Sequence, residues 1–160
     1  FESRIDELTG LFNRRGFDDI FSRLVEGSQR GKRALCLIFV DSDSLKRIND
    51  IHGHEAGDRF IIDLSSILRG VVRGMDFIFR WGGDEFIVVL EGADTAKARA
   101  LADRIRAAVE ERTEGTVSIG IYIGIPENIE DPVNSADRAL YKAKHNGGNR
   151  VEVASAGTGD

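Results

Sequence analysis

The chain predicts an α+β fold. Stretches with helical periodicity alternate with short apolar runs of strand length, and a glycine pair joins two of those runs as a hairpin. Its 160 residues, 41% hydrophobic and 31% charged, describe one soluble globular domain. That length suffices to bury a core without disulfides or a structural metal.

Phe17, Ile20, Phe21 and Leu24 recur at helical spacing and predict a helix from Arg14 to Glu26. Ala34 to Val40 is a continuous apolar run between turn signals, the pattern of a central strand buried on both faces, and it ends in Asp41-Ser42-Asp43-Ser44. A short helix is expected over Leu45 to Ile51, then a polar loop from His52 to Gly57. Phe60, Ile61, Leu64, Ile67, Leu68 and Val71 next form one stripe of a helix, with Asp58 placed to cap it and Gly74 closing the region.

Asp76 to Trp81 and Glu85 to Leu90 read as strands of a hairpin turning through Gly82-Gly83, where positive φ is expected. A helix over Asp94 to Arg112 turns Ala98, Leu101, Ile105, Ala108 and Val109 inward, and Thr116 to Ile125 is β-rich. Asp131-Pro132 opens a last helix that Gly147-Gly148 stops, before a short strand over Arg150 to Val153. Residues 1–153 are thus expected to form a single domain and 154–160 a frayed tail. The start at Phe1, without an initiator methionine, leads us to expect a sensor or dimerisation region upstream.

A net charge of −5 argues against a cationic surface for nucleic acid. No apolar stretch of membrane-spanning length or signal-peptide pattern occurs, so no membrane contact by this domain is expected. The single Cys36 lies in an apolar run and reads as core, consistent with a reducing cytoplasm. His52 and His54 have no thiol partner at zinc-site spacing.

The chemistry concentrates in two segments. In Arg80-Trp81-Gly82-Gly83-Asp84-Glu85-Phe86, two carboxylates follow a bare turn at a strand start, an arrangement suited to a metal or a phosphate. Where the buried run ends stand Asp41 and Asp43, then Lys46 and Asn49. Carboxylates held rigidly at a strand end suit oxygen-seeking Mg²⁺. Asp41 and Asp84 can come from adjacent strands and share ions that clamp a triphosphate. Asp43 is the better candidate for a purely structural helix cap.

With Asp6-Glu7-Leu8-Thr9-Gly10-Leu11-Phe12-Asn13-Arg14-Arg15, Asp41 through Asp58, Gly82 to Phe86, Val117-Ser118-Ile119-Gly120 and Ala136 to Lys144, the chain resembles the GGDEF-domain diguanylate cyclases over nearly its whole length. The resemblance implies a central, mainly antiparallel five-stranded sheet wrapped by helices. Such a fold is nucleotidyl-cyclase or palm-like, with a ferredoxin-like βαββαβ core. It implies that Asp41, the Ser42 carbonyl and Asp84 bind metal, with Glu85 ligating or assisting deprotonation of a 3′-hydroxyl. The cofactor would be Mg²⁺ (or Mn²⁺), two per active site.

Ser44, Leu45, Lys46 and Lys144 correspond to the positions that hold the triphosphate, and Asn49 and Asp58 to those that read guanine. A carboxylate accepts from the N1–H and N2–H groups, which adenine lacks. Arg73 and Asp76 match an RxxD inhibitory product site, with Arg104 as a further contact. The activity implied is condensation of two GTP into cyclic di-GMP by a homodimer, with feedback inhibition by product. The alternative is a catalytically weak domain that binds GTP or cyclic di-GMP as an effector. Two departures stand out: Gly148 where relatives commonly carry arginine, which Arg150 could replace, and Leu45 in place of the usual phenylalanine.

Overall fold

A computed structural model describes residues 3–72 and 77–155. The elements are α1 (Arg14–Gly31), β1 (Leu35–Ser42), α2 (Leu45–His52), α3 (His54–Val71), β2 (Phe77–Arg80), β3 (Glu85–Glu91), α4 (Thr95–Arg112), β4 (Val117–Gly124), α5 (Pro132–His145) and β5 (Val151–Val153). One five-stranded sheet runs β2-β3-β1-β4-β5, antiparallel throughout except for the parallel β4–β5 edge. The first four strands, with α3 and α4 as crossovers, make the βαββαβ core, and the fold is α+β and palm-like.

Strand β1 is central because its side chains have apolar partners on both faces. Cys36, Ile38 and Val40 join Phe60, Leu64, Leu68 and Ile105 beneath α3 and α4. Leu35, Leu37 and Phe39 meet Phe17, Leu24, Ala136 and Leu140 of α1 and α5. Period-two alternation therefore feeds two cores from one continuous apolar run. Asp41 breaks that run at the strand's C-terminal end, opposite Glu85 on β3 and Ser118 on β4.

Helix α5 lies unusually close to the sheet. A Cβ at Gly120 of β4 would stand 2.9 Å from the Leu140 Cα and closer still to the Ala136 carbonyl. The missing side chain lets the α5 backbone settle onto the strand, which brings its last turn to the end of β1.

Several boundaries differ from expectation, for local reasons. Helix α1 continues to Gly31 and ends on Lys32 in the left-handed region at φ 55°. Helix α3 begins at His54, not after a loop to Gly57: only Gly53, at φ 91°, separates it from α2. Asp58 therefore lies inside the first turns of α3 and is not its cap. Asp131 precedes α5 without a side-chain capping bond, at φ 49°. Gly82 and Gly83 do not adopt positive φ. Their smallness matters for space: a Cβ at Gly82 would press on the Glu85 carboxylate, whereas none would meet anything within 4 Å at Gly83. The expected Gly74 stop, and most of the expected tail, lie outside the described residues.

Candidate active site

The site forms where β1 and β3 end together. Pairing of Asp41 with Glu85 puts one carboxylate from each strand side by side, and the Ser42 N–H donates to the Asp84 carbonyl (3.2 Å). The turn itself closes through the Trp81 and Gly82 N–H groups, both directed at the Glu85 carbonyl (2.8 and 3.3 Å). Asp41, Asp84 and Glu85 are consequently gathered at one end of these two interior strands by the ladder. Burial and the Asp84 carboxylate push the Asp41 carboxyl up to about 7; Lys144 opposes the rise and Glu85 adds to it. The Glu85 carboxyl is raised as well, by burial, then by Asp84 and Asp137. Close like charges disfavour joint ionisation, and a cation among them would relieve that cost.

Lys144 supplies one such charge. Its Nζ donates to the Ser42 carbonyl (2.9 Å) and lies 3.4 Å from Asp41 and 3.5 Å from Asp43. Among the described residues, no three His, Cys, Asp or Glu side chains form a ready-made metal cage. Such a cage is not what Mg²⁺ requires, since it is usually held by one or two carboxylates together with substrate phosphates. The all-oxygen donor set of Asp41, Asp84 and the Ser42 carbonyl fits a hard divalent cation.

Asp43 is a correction. It caps no helix; its carboxylate accepts from Thr116 Oγ1 (2.8 Å), Ser118 Oγ (2.7 Å) and the Asn149 N–H (3.0 Å). It thereby ties β1 to β4 and to the turn after α5. The capping oxygen belongs to Ser42, whose Oγ accepts from the Ser44 and Leu45 N–H groups, both at 3.0 Å. Those two N–H groups are therefore engaged. The next N–H groups of α2 have no intrahelical carbonyl partners. Leu45 packs toward the core and Lys46 is exposed beside it.

Asn49 holds a buried Oδ1 with no hydrogen-bond partner. It rests against Gly57, where a Cβ would come within 2.8 Å of the Asn49 Cγ and nearer still to Oδ1. Asp58 follows immediately on α3 and is exposed. A buried acceptor of this kind ordinarily has a hydrogen-bond partner.

Other expected residues fall elsewhere. Trp81 packs edge-on against Phe17 and Phe39 beneath the Arg14 guanidinium, 4.0 Å from the ring centroid. His52 faces Glu114 at 3.5 Å. Arg150 does not turn to the carboxylates: its Nε donates to the Gly148 carbonyl (3.2 Å) and it lines a separate surface cavity of about 560 Å³ with Arg99 and Arg106 of α4. Gly148 sits at φ +73°, and a Cβ there would lie 3.3 Å from the Asp43 carboxylate. Arg104 is exposed on α4, while Arg73 and Asp76 lie outside the described residues. Sequence reasoning left without a role Arg80 and Asp6, whose ion pair at 3.0 Å flanks the glycine turn. The signal available was Arg80's place directly before Trp81-Gly82.

Comparison with known proteins agrees with this architecture. The family model described as "Diguanylate cyclase, GGDEF domain" matches residues 3–150. Diguanylate cyclase DosC of Escherichia coli K12 is 39% identical over 166 aligned positions, covering 97% of this chain and 36% of that protein. Diguanylate cyclase A of Treponema denticola is 38% identical over 140 positions, 81% of this chain and 38% of its own length. The chain spans little more than a third of these curated relatives. The crystal structure of the DgcB GGDEF domain from Caulobacter crescentus in complex with c-di-GMP superposes with a TM-score of 0.91 at 30% identity, covering 98% of this chain and 96% of that one. Diguanylate cyclase SiaD of Pseudomonas aeruginosa, solved with its activator SiaC, gives 0.86 at 32% identity, covering 95% and 62%. With its family motifs assembled at the shared end of two antiparallel strands, the chain belongs to the GGDEF, diguanylate cyclase, domain family.

Proposed function

We propose that this domain condenses two GTP molecules into cyclic di-GMP with release of two pyrophosphates, each of two domains holding one GTP across a two-fold axis. The observation that carries the reading is the meeting of Asp41, Asp84 and Glu85 at the paired ends of β1 and β3, in a member of this family.

In this reading Asp41, Asp84 and the Ser42 carbonyl hold divalent cations, Mg²⁺ or Mn²⁺, two per site. When bound, these supply charge neutralisation and Lewis acidity to the triphosphate. Glu85, whose carboxyl is already raised, accepts the proton of the attacking 3′-hydroxyl. Lys144 leaves its carboxylate partners for phosphate oxygens, and Lys46 and the N-terminus of α2 hold the β- and γ-phosphates. The unpaired Asn49 Oδ1 meets the guanine amine, and Asp58 accepts from the base's N–H groups. The partner domain presents its 3′-hydroxyl in line with the α-phosphate, so turnover requires the dimer. Arg73, Asp76 and Arg104 bind product and inhibit. A nucleotide substrate supports a cytoplasmic location for the domain; no described helix is long and apolar enough to cross a membrane.

The test is product detection by mass spectrometry from the domain fused to a dimerising coiled coil, given GTP and Mg²⁺. Cyclic di-GMP from the wild type and none from Asp84→Ala is the expected result. Gly148 favours a second reading, because the arginine that relatives carry there is missing and Arg150 is turned away. Confirmed dimers that bind GTP or cyclic di-GMP without turnover would overturn the first reading and leave an effector domain.

A further inference from the structure

Residues 5–12 form a tight turn on the edge of the sheet. The Asp6 N–H donates to the Leu11 carbonyl and the Gly10 N–H to the Asp6 carbonyl, both at 2.8 Å. Asp6's carboxylate accepts from the Thr9 N–H (2.9 Å) and Thr9 Oγ1 (2.7 Å). The turn is docked on β2 by the Arg80 N–H, which donates to the Phe12 carbonyl at 2.7 Å, and by a Phe12–Phe79 bridge. Arg69 closes its other side, its Nη2 donating to the Thr9 carbonyl (2.7 Å).

Asp6 also receives Arg80 Nη1, 3.0 and 3.1 Å from its two oxygens. The rest of that guanidinium reaches the glycine turn: Nε donates to the Gly82 carbonyl (3.2 Å) and Nη2 to the Gly83 carbonyl (2.8 Å). One rigid planar fork thus joins the N-terminal turn to the two residues directly before Asp84 and Glu85. Both partners are largely shielded, at 18% and 20% side-chain exposure, so the charge-assisted bonds are only weakly screened. Burial raises the Asp6 carboxyl, but bonds from Thr9 and Arg80 outweigh it and hold the carboxyl below its usual value.

We propose that Asp6 is a positioning residue for the carboxylate site. It fixes Arg80 in the orientation that clamps the Gly82 and Gly83 carbonyls, and so sets how Asp84 and Glu85 are presented to a divalent cation. The proposal rests on the cyclase reading for its kinetic consequence, but not for its geometry.

The experiment compares Asp6→Asn and Arg80→Lys in the dimerised domain, with Arg69→Met as a control that loosens the turn at the Thr9 carbonyl while leaving the Asp6–Arg80 pair. GTP turnover, binding of Mn²⁺ alone by electron paramagnetic resonance, and acrylamide quenching of Trp81, the single tryptophan, are read together with Tm. Outer-shell losses of this kind predict kcat down by about tenfold to a hundredfold in both variants, with the KM for GTP nearly unchanged and the Mn²⁺ dissociation constant raised about tenfold. Trp81 should become more accessible to quencher. Arg69→Met should lower Tm but not Mn²⁺ affinity.

Wild-type kcat, Mn²⁺ affinity and quenching in both variants would overturn the proposal. So would losses that merely track Tm and recur in Arg69→Met. A wild type that turns over no GTP sinks the cyclase reading alone, and the Mn²⁺ and Trp81 measurements then decide the positioning role. A wild type that neither turns over GTP nor binds Mn²⁺ overturns both.

Discussion

Replacing Asp41 by asparagine is expected to abolish turnover while stabilising the cation-free fold. Asp41 is confined at the end of β1 beside Asp84 and Glu85, and its carboxyl stands at about 7 against the usual 3.8. Keeping it ionised at alkaline pH therefore costs the fold about 4 kcal/mol, at roughly 1.4 kcal/mol per pH unit. Its side chain is 18% exposed, and the attraction of Lys144, 3.4 Å away, is already contained in that raised value. Screening by solvent leaves about 2 kcal/mol of stabilisation. For a chain of 160 residues this corresponds to a Tm rise of about 4–8 °C.

The sign follows from proton binding. A raised carboxyl holds its proton more tightly in the folded than in the unfolded state, so wild-type stability falls as pH rises from about 4 to about 7. The variant lacks that decline, so its advantage should be full near pH 8 and absent near pH 4. Calorimetry in EDTA at both pH values measures it. Excess Mg²⁺ with GTP should stabilise the wild type and not the variant. An unchanged or lower Tm at pH 8, or the same gain at both pH values, would refute the charge-crowding argument.

Three further outcomes are expected. Gly57→Ala should displace the Asn49 amide and weaken GTP binding by about tenfold or more by calorimetry; combining it with Asn49→Ala should add little, since both act at one contact. Gly120→Ala should drive α5 off β4, costing about 3 kcal/mol or more in denaturant unfolding and carrying Lys144 away from the site. Cys36, fully buried with its thiol pushed up to about 12 by burial and then by Asp94, should resist thiol reagents at neutral pH. Native protein labelled as fast as denatured protein would contradict that placement.

The run Ala34 to Val40 predicted a strand buried on both faces, because apolar periodicity is a local property that survives any arrangement of neighbours. The stripe from Phe60 to Val71 likewise marked α3, but not its start. Whether Asp58 caps the helix or rides inside it depends on how α2 turns at Gly53, and a single left-handed residue there lets the two helices nearly abut. The glycine pair marked the turn between β2 and β3, but the reason for it is room beside Glu85 and not positive φ.

The element types, the family and its characteristic carboxylates are each written in a short stretch of chain. Which polar groups meet is set by the folded chain as a whole. Lys144 reaches the Ser42 carbonyl from 102 residues away, Asp43 turns to Thr116 and Ser118 in place of its own helix, and Asp6 closes on Arg80 across 74 positions. Such partners are chosen by strand register and by how closely α5 can approach β4. Those depend on packing of the whole core, and no local pattern encodes them.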